Sequence, residues 1–289
     1  MASLITKRIL AGLLIFLPVV LGAQNVFSKR FKTIRDIPRF SEWDSLPDGK
    51  WIQLDANGAL AVEYIMKNHL LNGPATAYYP GGGKRFEFTM YGNYIHGEFR
   101  EYYPSGKLHR LYNYNEGFLN GEWFIYYEDG QMQAKGKCRD DRQVGKLYHW
   151  WPNGNLKEER TYVNDTLNGI TIFWYEHGGK KMEGPQLGID NKVGRWSYWY
   201  EHGQLHREVE YKNGLEYVYN AWDRKGQQMV KNGNGKYIFT NIYGKKIQEG
   251  QYINGMQEGR WFFWDEELLL KGRTDVPPKE VYFKEGRKQ

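Results

Sequence analysis

The chain has 289 residues, 17% of them aromatic and 34 of them glycine, with a net charge of +6 and one cysteine. A single cysteine, Cys138, excludes an intramolecular disulfide, so stability has to come from packing. The modest charge, with Glu and Lys mixed throughout, is no nucleic-acid footprint, and past the N-terminal segment no stretch is apolar enough to read as a membrane span.

Residues 1–23 have the three parts of a secretory signal peptide: basic Lys7 and Arg8, an apolar run from Ile9 to Leu21, then small Gly22 and Ala23. The run is shorter than the roughly 20 residues a membrane helix needs. Export is therefore expected, to the periplasm, the outer membrane or the medium. Residues 24–48 carry Lys29, Arg30, Lys32 and Arg35, then Pro38, Phe40, Trp43 and Pro47, and read as an irregular lead-in or N-terminal cap. Residues 49–272 read as one repeat domain and 273–289 as a C-terminal tail.

In the repeat domain glycines recur with a step of 24 residues: Gly49, Gly73, Gly97, Gly121, Gly145 and Gly169, then Gly194 after 25, with Gly235 and Gly259 again 24 apart. A second series, Gly58, Gly82, Gly106, Gly130, Gly154, Gly178, Gly203 and Gly244, follows the first by nine residues. Two series in register mean small units that bury apolar surface only against their neighbours. From Tyr217 to Gly226 the first glycine is missing and the unit is shortened, yet its aromatics persist.

Within a unit, runs of Trp, Tyr, Phe and Ile between Asn-Gly, Asp-Gly, Ser-Gly or His-Gly signals predict a strand, a hairpin turn and a return strand. Gly121 to Gly130 is the first strand with its turn, Gln131 to Arg139 the return strand and Asp140 to Val144 the link onward. The expected fold is all-β: an elongated antiparallel sheet of β-hairpin repeats, about ten units of about 24 residues.

Enzyme signatures are absent. The triple glycine Gly81-Gly82-Gly83 falls on a repeat turn with no helix to follow, so it is not a phosphate loop. His177 and His202, each in Glu-His-Gly, sit on turns two strands apart, about 10 Å, too far to share a metal. Glu158-Glu159 and Glu266-Glu267 put neighbouring side chains on opposite faces, poor geometry for an acid and base pair. Cys138 stands where other units have Tyr114, Tyr162, Tyr211 and Tyr252, a buried row. No cofactor and no metal are expected.

Two aromatic rows remain. Five places after the unit glycine stand Leu54, Tyr78, Tyr102, Tyr126, Trp150, Trp174, Trp199, Trp222, Thr240 and Trp264. One place later stand Tyr79, Tyr103, Tyr127, Trp151, Tyr175 and Tyr200. Adjacent strand residues face opposite ways, so the rows lie on different faces. The second row gives way to Asp55, Asp223 and Asp265 towards the ends, and is expected to be the open contact surface.

The units resemble the MORN repeat variant, Gly-x-Trp-x-x-Tyr-Tyr-x-x-Gly followed by Tyr and two further glycines, with the best copies at Gly97, Gly121, Gly145 and Gly194. The chain is also similar to the YwqK-type antitoxin group, which shares a stretch like Lys231 to Gly235. The resemblance implies a β-hairpin repeat fold, contacts with proteins and, in some members, with lipids. With an export signal, the expected function is a non-enzymatic scaffold binding a protein partner in the bacterial envelope. Antitoxin-like occlusion of a toxin and glycan binding on the aromatic row are the alternatives.

Overall fold

The computed structural model describes residues 46–270, 273 and 277–289, so the signal peptide expected over 1–23 and nearly all of the lead-in lie outside the described residues. The chain divides into two compact units, Met1–Gly145 and Lys146–Gln289, and apart from the short helix Glu266–Leu270 the regular structure of the described residues is β.

The hairpin of strands Gly121–Tyr126 and Met132–Arg139 shows how the repeat folds. Its strands pair antiparallel, Gly121 opposite Cys138 and Trp123 opposite Gly136. Between them Gly130 N–H bonds to the Tyr127 carbonyl (2.9 Å) and Tyr127 N–H to the Gln131 carbonyl (2.8 Å), with Gly130 at φ +97°. This is a tight turn closed by a left-handed glycine, a conformation any side chain would strain. The same pair of bonds recurs around Gly82, Gly106, Gly154, Gly178 and Gly203.

The link differs from expectation. Asp140 and Asp141 have φ of 46° and 70°, and strand Arg142–Trp150 follows at once, so Asp140 to Val144 is a two-residue turn and the start of a strand. Asn68-His69, Asn164-Asp165, Asn213-Gly214 and Asn254-Gly255 repeat that pair of positive φ values. Asn and Asp tolerate the left-handed region, and the turn's twist matches that of the strands it joins. The unit-starting glycines lie instead within strands, as Gly97 does in Tyr94–Tyr102 and Gly169 in Thr166–Trp174.

Alternation along these strands gives a packed face and an open face. In Met1–Gly145 the packed face carries Met66, Leu71, Ala75, Met90 and Ile95, with Trp51, Phe88 and Phe99 against them. Further along, Trp123, Ala134 and Cys138 are buried, Cys138 fully, as its place in the buried row predicted. In Lys146–Gln289 the core is Trp196, Val209, Val218, Ala221, Val230, Tyr237, Tyr252 and Trp261. A third glycine set makes this packing fit: a Cβ on Gly136, Gly184 or Gly250 would stand 2.5, 2.3 or 2.1 Å from the rings of Trp123, Trp196 and Trp261.

The shortened unit has a structural consequence. Its return strand, Gln228–Val230, is only three residues, and a turn at Asn232 and Gly233 ends it. Strands Gly235–Thr240, Lys246–Ile253, Met256–Phe263, Lys279–Lys284 and Arg287–Lys288 then form a separate five-stranded sheet. Lys279–Lys284, within the segment read as a tail, is the return strand of the last hairpin: Trp261 lies opposite Val281 and Gly259 opposite Phe283. The sequence pattern hides this strand because the excursion with helix Glu266–Leu270 replaces the usual turn.

Candidate contact surfaces

The open face carries the first aromatic row. In Met1–Gly145, Tyr78 donates its hydroxyl to Glu63 (2.8 Å), and Tyr102 does the same to Glu87. Lys50 and Lys84 pair with these carboxylates at 2.6 and 2.5 Å. In Lys146–Gln289 the same row is Trp150, Trp174, Trp199 and Trp222, all half-buried, with Tyr148 packed beside Trp150 (5.8 Å). Lys146 pairs with Glu159 (2.6 Å), and Lys180 bridges from Glu183 (2.7 Å) to the Trp199 ring (5.2 Å). Ile170 stands half exposed on this face. The hydrogen bonds from Lys50 and then Tyr78 to Glu63, and from Lys84 and then Tyr102 to Glu87, hold both carboxyls below their ordinary range, so this face keeps its charge.

The second row, Tyr79, Tyr103, Tyr127, Trp151, Tyr175 and Tyr200, expected as the contact surface, stands where each strand enters its hairpin turn. Five of its members are half-buried, as the first row is, and Tyr200 is only 4% exposed. A buried phenol needs a partner for its hydroxyl, and the carbonyl before the next hairpin's turn supplies it. Tyr79 donates to Tyr102 O (2.7 Å) and Tyr103 to Tyr126 O (2.8 Å), while in the second unit Tyr175 donates to Trp199 O (2.8 Å) and Tyr200 to Trp222 O (3.0 Å). Most rings are also covered by a basic side chain or an imidazole: Arg85 over Tyr79 (5.5 Å), His109 on Tyr103 (4.2 Å), Lys157 over Trp151 (4.5 Å), Lys181 over Tyr175 (5.4 Å) and His206 on Tyr200 (4.5 Å). The row is a ladder that fixes the spacing of successive hairpins. Replacing Tyr103 by Phe should cost about 1 kcal/mol in urea unfolding, the worth of one such hydrogen bond, with the strand signal in circular dichroism retained.

The packed face also holds buried polar groups. Glu101, 8% exposed, accepts from Arg110 (3.2 Å) and lies 3.8 Å from His109. Glu158 accepts from His149 (2.6 Å) and Arg160 (3.1 Å) while Glu159 faces the other way to Lys146, so the acidic pair splits across the sheet as expected. His177 and His202 stack on Tyr175 and Tyr200 of their own turns, at 5.5 and 5.6 Å. Among the described residues no group of three or more His, Cys, Asp or Glu is placed to hold a metal.

Comparison with known proteins bears on the repeat itself. The MORN repeat variant model matches residues 95–116, 119–137, 143–164 and 192–213. No curated protein matches the chain. Two solved structures are similar at 11% identity: TcdB2-TccC3 without its hypervariable C-terminal region, over 81% of this chain and with a TM-score of 0.21, and TcdB2-TccC3-Cdc42, over 75% and with a TM-score of 0.15. The matches span only 14% and 18% of those chains. The matched segments coincide with hairpins built on the glycine period, and over these segments the chain carries MORN repeats of the variant type.

Proposed function

We propose that this protein is an exported, non-enzymatic scaffold that binds another protein in the bacterial envelope through its open face. MORN repeats are protein- or membrane-binding modules of a non-enzymatic type. The observation that carries the reading is the row Trp150, Trp174, Trp199 and Trp222, one indole per hairpin, beside the lysine-paired side chains of Glu159 and Glu183. Successive indoles two strands apart stand about 10 Å from one another, a ruled surface for an extended partner segment. Large rings beside charge suit recognition because they bury area while losing little side-chain entropy. Within the second unit, the hydroxyl bonds of Tyr175 and Tyr200 to the next hairpins hold those hairpins in register. The basic, apolar and small-residue pattern over residues 7–23 supports export.

Fractionation and mapping of the mature N terminus test the location. A mature chain starting near Gln24 in the envelope or medium is expected, and an uncut cytosolic chain sinks the export reading. Crosslinking in that fraction tests the surface. Trp174→Ala with Trp199→Ala should lower recovery of a defined partner at least tenfold, about 1.4 kcal/mol, while the hairpin fold persists. Unchanged recovery would move the contact surface elsewhere.

A further inference from the structure

One row of inward positions is aliphatic in four hairpins. Leu71, Ile95, Leu119 and Leu167 pair with Met66, Met90, Tyr114 and Tyr162, and all four are buried. Gln143 and Gln257 are polar there, and two consecutive hairpins of the second unit place a charged residue, with Lys192 opposite Gln186 and Glu216 opposite Tyr211. A lysine and a glutamate thus replace aliphatics on the packed face.

The Lys192 ammonium is held in an aromatic cage. It lies 4.5 Å from the centre of the Trp196 ring, 5.1 Å from Tyr198 and 5.6 Å from Tyr211, with Met182 Sδ at 3.9 Å. Trp196 and Tyr211 meet edge to face at 87°, and Trp196 is anchored by Nε1 donating to Pro185 O (2.9 Å). Ring faces turned on one ammonium attract it electrostatically. The cage is also directional. Lys192 Nζ donates to Tyr198 Oη (2.9 Å), Tyr198 and Tyr211 hydroxyls are 2.9 Å apart, and Tyr211 donates to Glu216 (2.5 Å). Because the Tyr211 proton goes to the carboxylate, Tyr198 donates to Tyr211 and its own oxygen is left to accept an N–H. The cage therefore suits an ammonium that carries hydrogens.

We propose that Trp196, Tyr198, Tyr211 and Met182 form a recognition site for a primary alkylammonium, the side chain of a lysine on the protein partner, and that Lys192 is its displaceable resident. Lys192 sits on the link from Lys180–Leu187 to Gly194–Trp199, where a longer loop replaces the two-residue turn. Asp190 and Asn191 of that loop are exposed, and Leu187 N–H to Asn191 O (2.9 Å) closes it at the base. Swinging the loop out removes one lysine and leaves the rings and the hydroxyl chain in place. The proposal deepens the protein-binding reading and rests on it, but its test needs no partner.

The full chain and its K192A variant are titrated with n-butylammonium and with tetramethylammonium, followed by the Trp196 indole NMR signal and by melting temperature. K192A should bind n-butylammonium at least tenfold more tightly than the wild type does, prefer it to tetramethylammonium, and gain melting temperature from it. K192A with Y198F should lose that preference. Absence of saturable binding to K192A, equal binding to the wild type, or stronger binding of tetramethylammonium overturns the proposal. If K192A is unfolded alone, n-butylammonium restoring native NMR dispersion supports the site, and failure to restore it overturns the site.

Discussion

Gly250→Ala should cost the five-stranded sheet about 3 kcal/mol or more, an exceptional penalty for adding one methyl group. The added Cβ would stand 2.1 Å from Trp261 Cδ2, well inside contact distance. The indole cannot yield: Trp261 is 0% exposed and is hemmed by Tyr252 (5.0 Å), Tyr237 (6.1 Å), Phe283 (6.2 Å) and Phe263 (6.3 Å). Overpacking a tight core costs about 1–3 kcal/mol where neighbours can shift, and more where they cannot. Gly244→Ala is the control. It meets no atom within 4 Å and strains only the backbone, at φ +74°, a cost of about 1–2 kcal/mol. Urea unfolding of both variants separates packing from strain, and equal midpoints would refute the clash. Trimming the indole in Trp261→Leu should shrink the penalty of Gly250→Ala by about 2 kcal/mol, a coupling expected only of touching residues.

That glycine also shows where sequence reading stopped. The two periodic series were legible because every copy of a turn needs the same backbone, so Gly130 and its equivalents recur at fixed spacing. Gly136, Gly184 and Gly250 recur only where a Trp lies across from them, in the same hairpin for Trp123 and in the next for Trp196 and Trp261. This complementarity depends on register, which a linear period does not display. The aromatic rows behaved similarly. Alternation separates the two rows, but the hydroxyl-to-carbonyl bonds from Tyr79, Tyr103, Tyr175 and Tyr200 that tie the second row to the next hairpin join residues 22 to 24 apart. Lys192 was hidden by the longer link that shifts its spacing.

Acidification from pH 7 to pH 5 should remove about 2 kcal/mol of stability from the second unit through His206 alone. Its imidazole bonds to the Tyr237 hydroxyl (2.9 Å) and lies between Tyr200 (4.5 Å) and Phe239 (5.1 Å). Burial, reinforced by Arg207 and Arg224, pushes its pKa down to about 3 from 6.5. The folded state therefore holds His206 neutral while the unfolded chain takes up a proton as pH falls below 6.5. Its stabilisation is complete above 6.5 and is lost progressively down to about 3, with a slope approaching 1.4 kcal/mol per pH unit in that window. Carboxylates do not confuse the upper part of the window. Glu249, hydrogen bonded by Lys236 and then Lys246, is held below its ordinary 4.5, so its contribution fades only under more acid conditions. In the first unit, His109, lowered to about 4 by burial and then Arg110, acts in the same direction, but Glu101 opposes it. Burial raises the Glu101 pKa, so the stability linked to its protonation is lost as pH rises. The clean signal belongs to the second unit, and urea unfolding followed at pH 7 and pH 5 should show it shrink in His206→Phe, which keeps the stacking but cannot take a proton. A His206 that titrates near 6.5 by NMR in the folded chain, or a variant with the wild-type pH dependence, would refute the assignment.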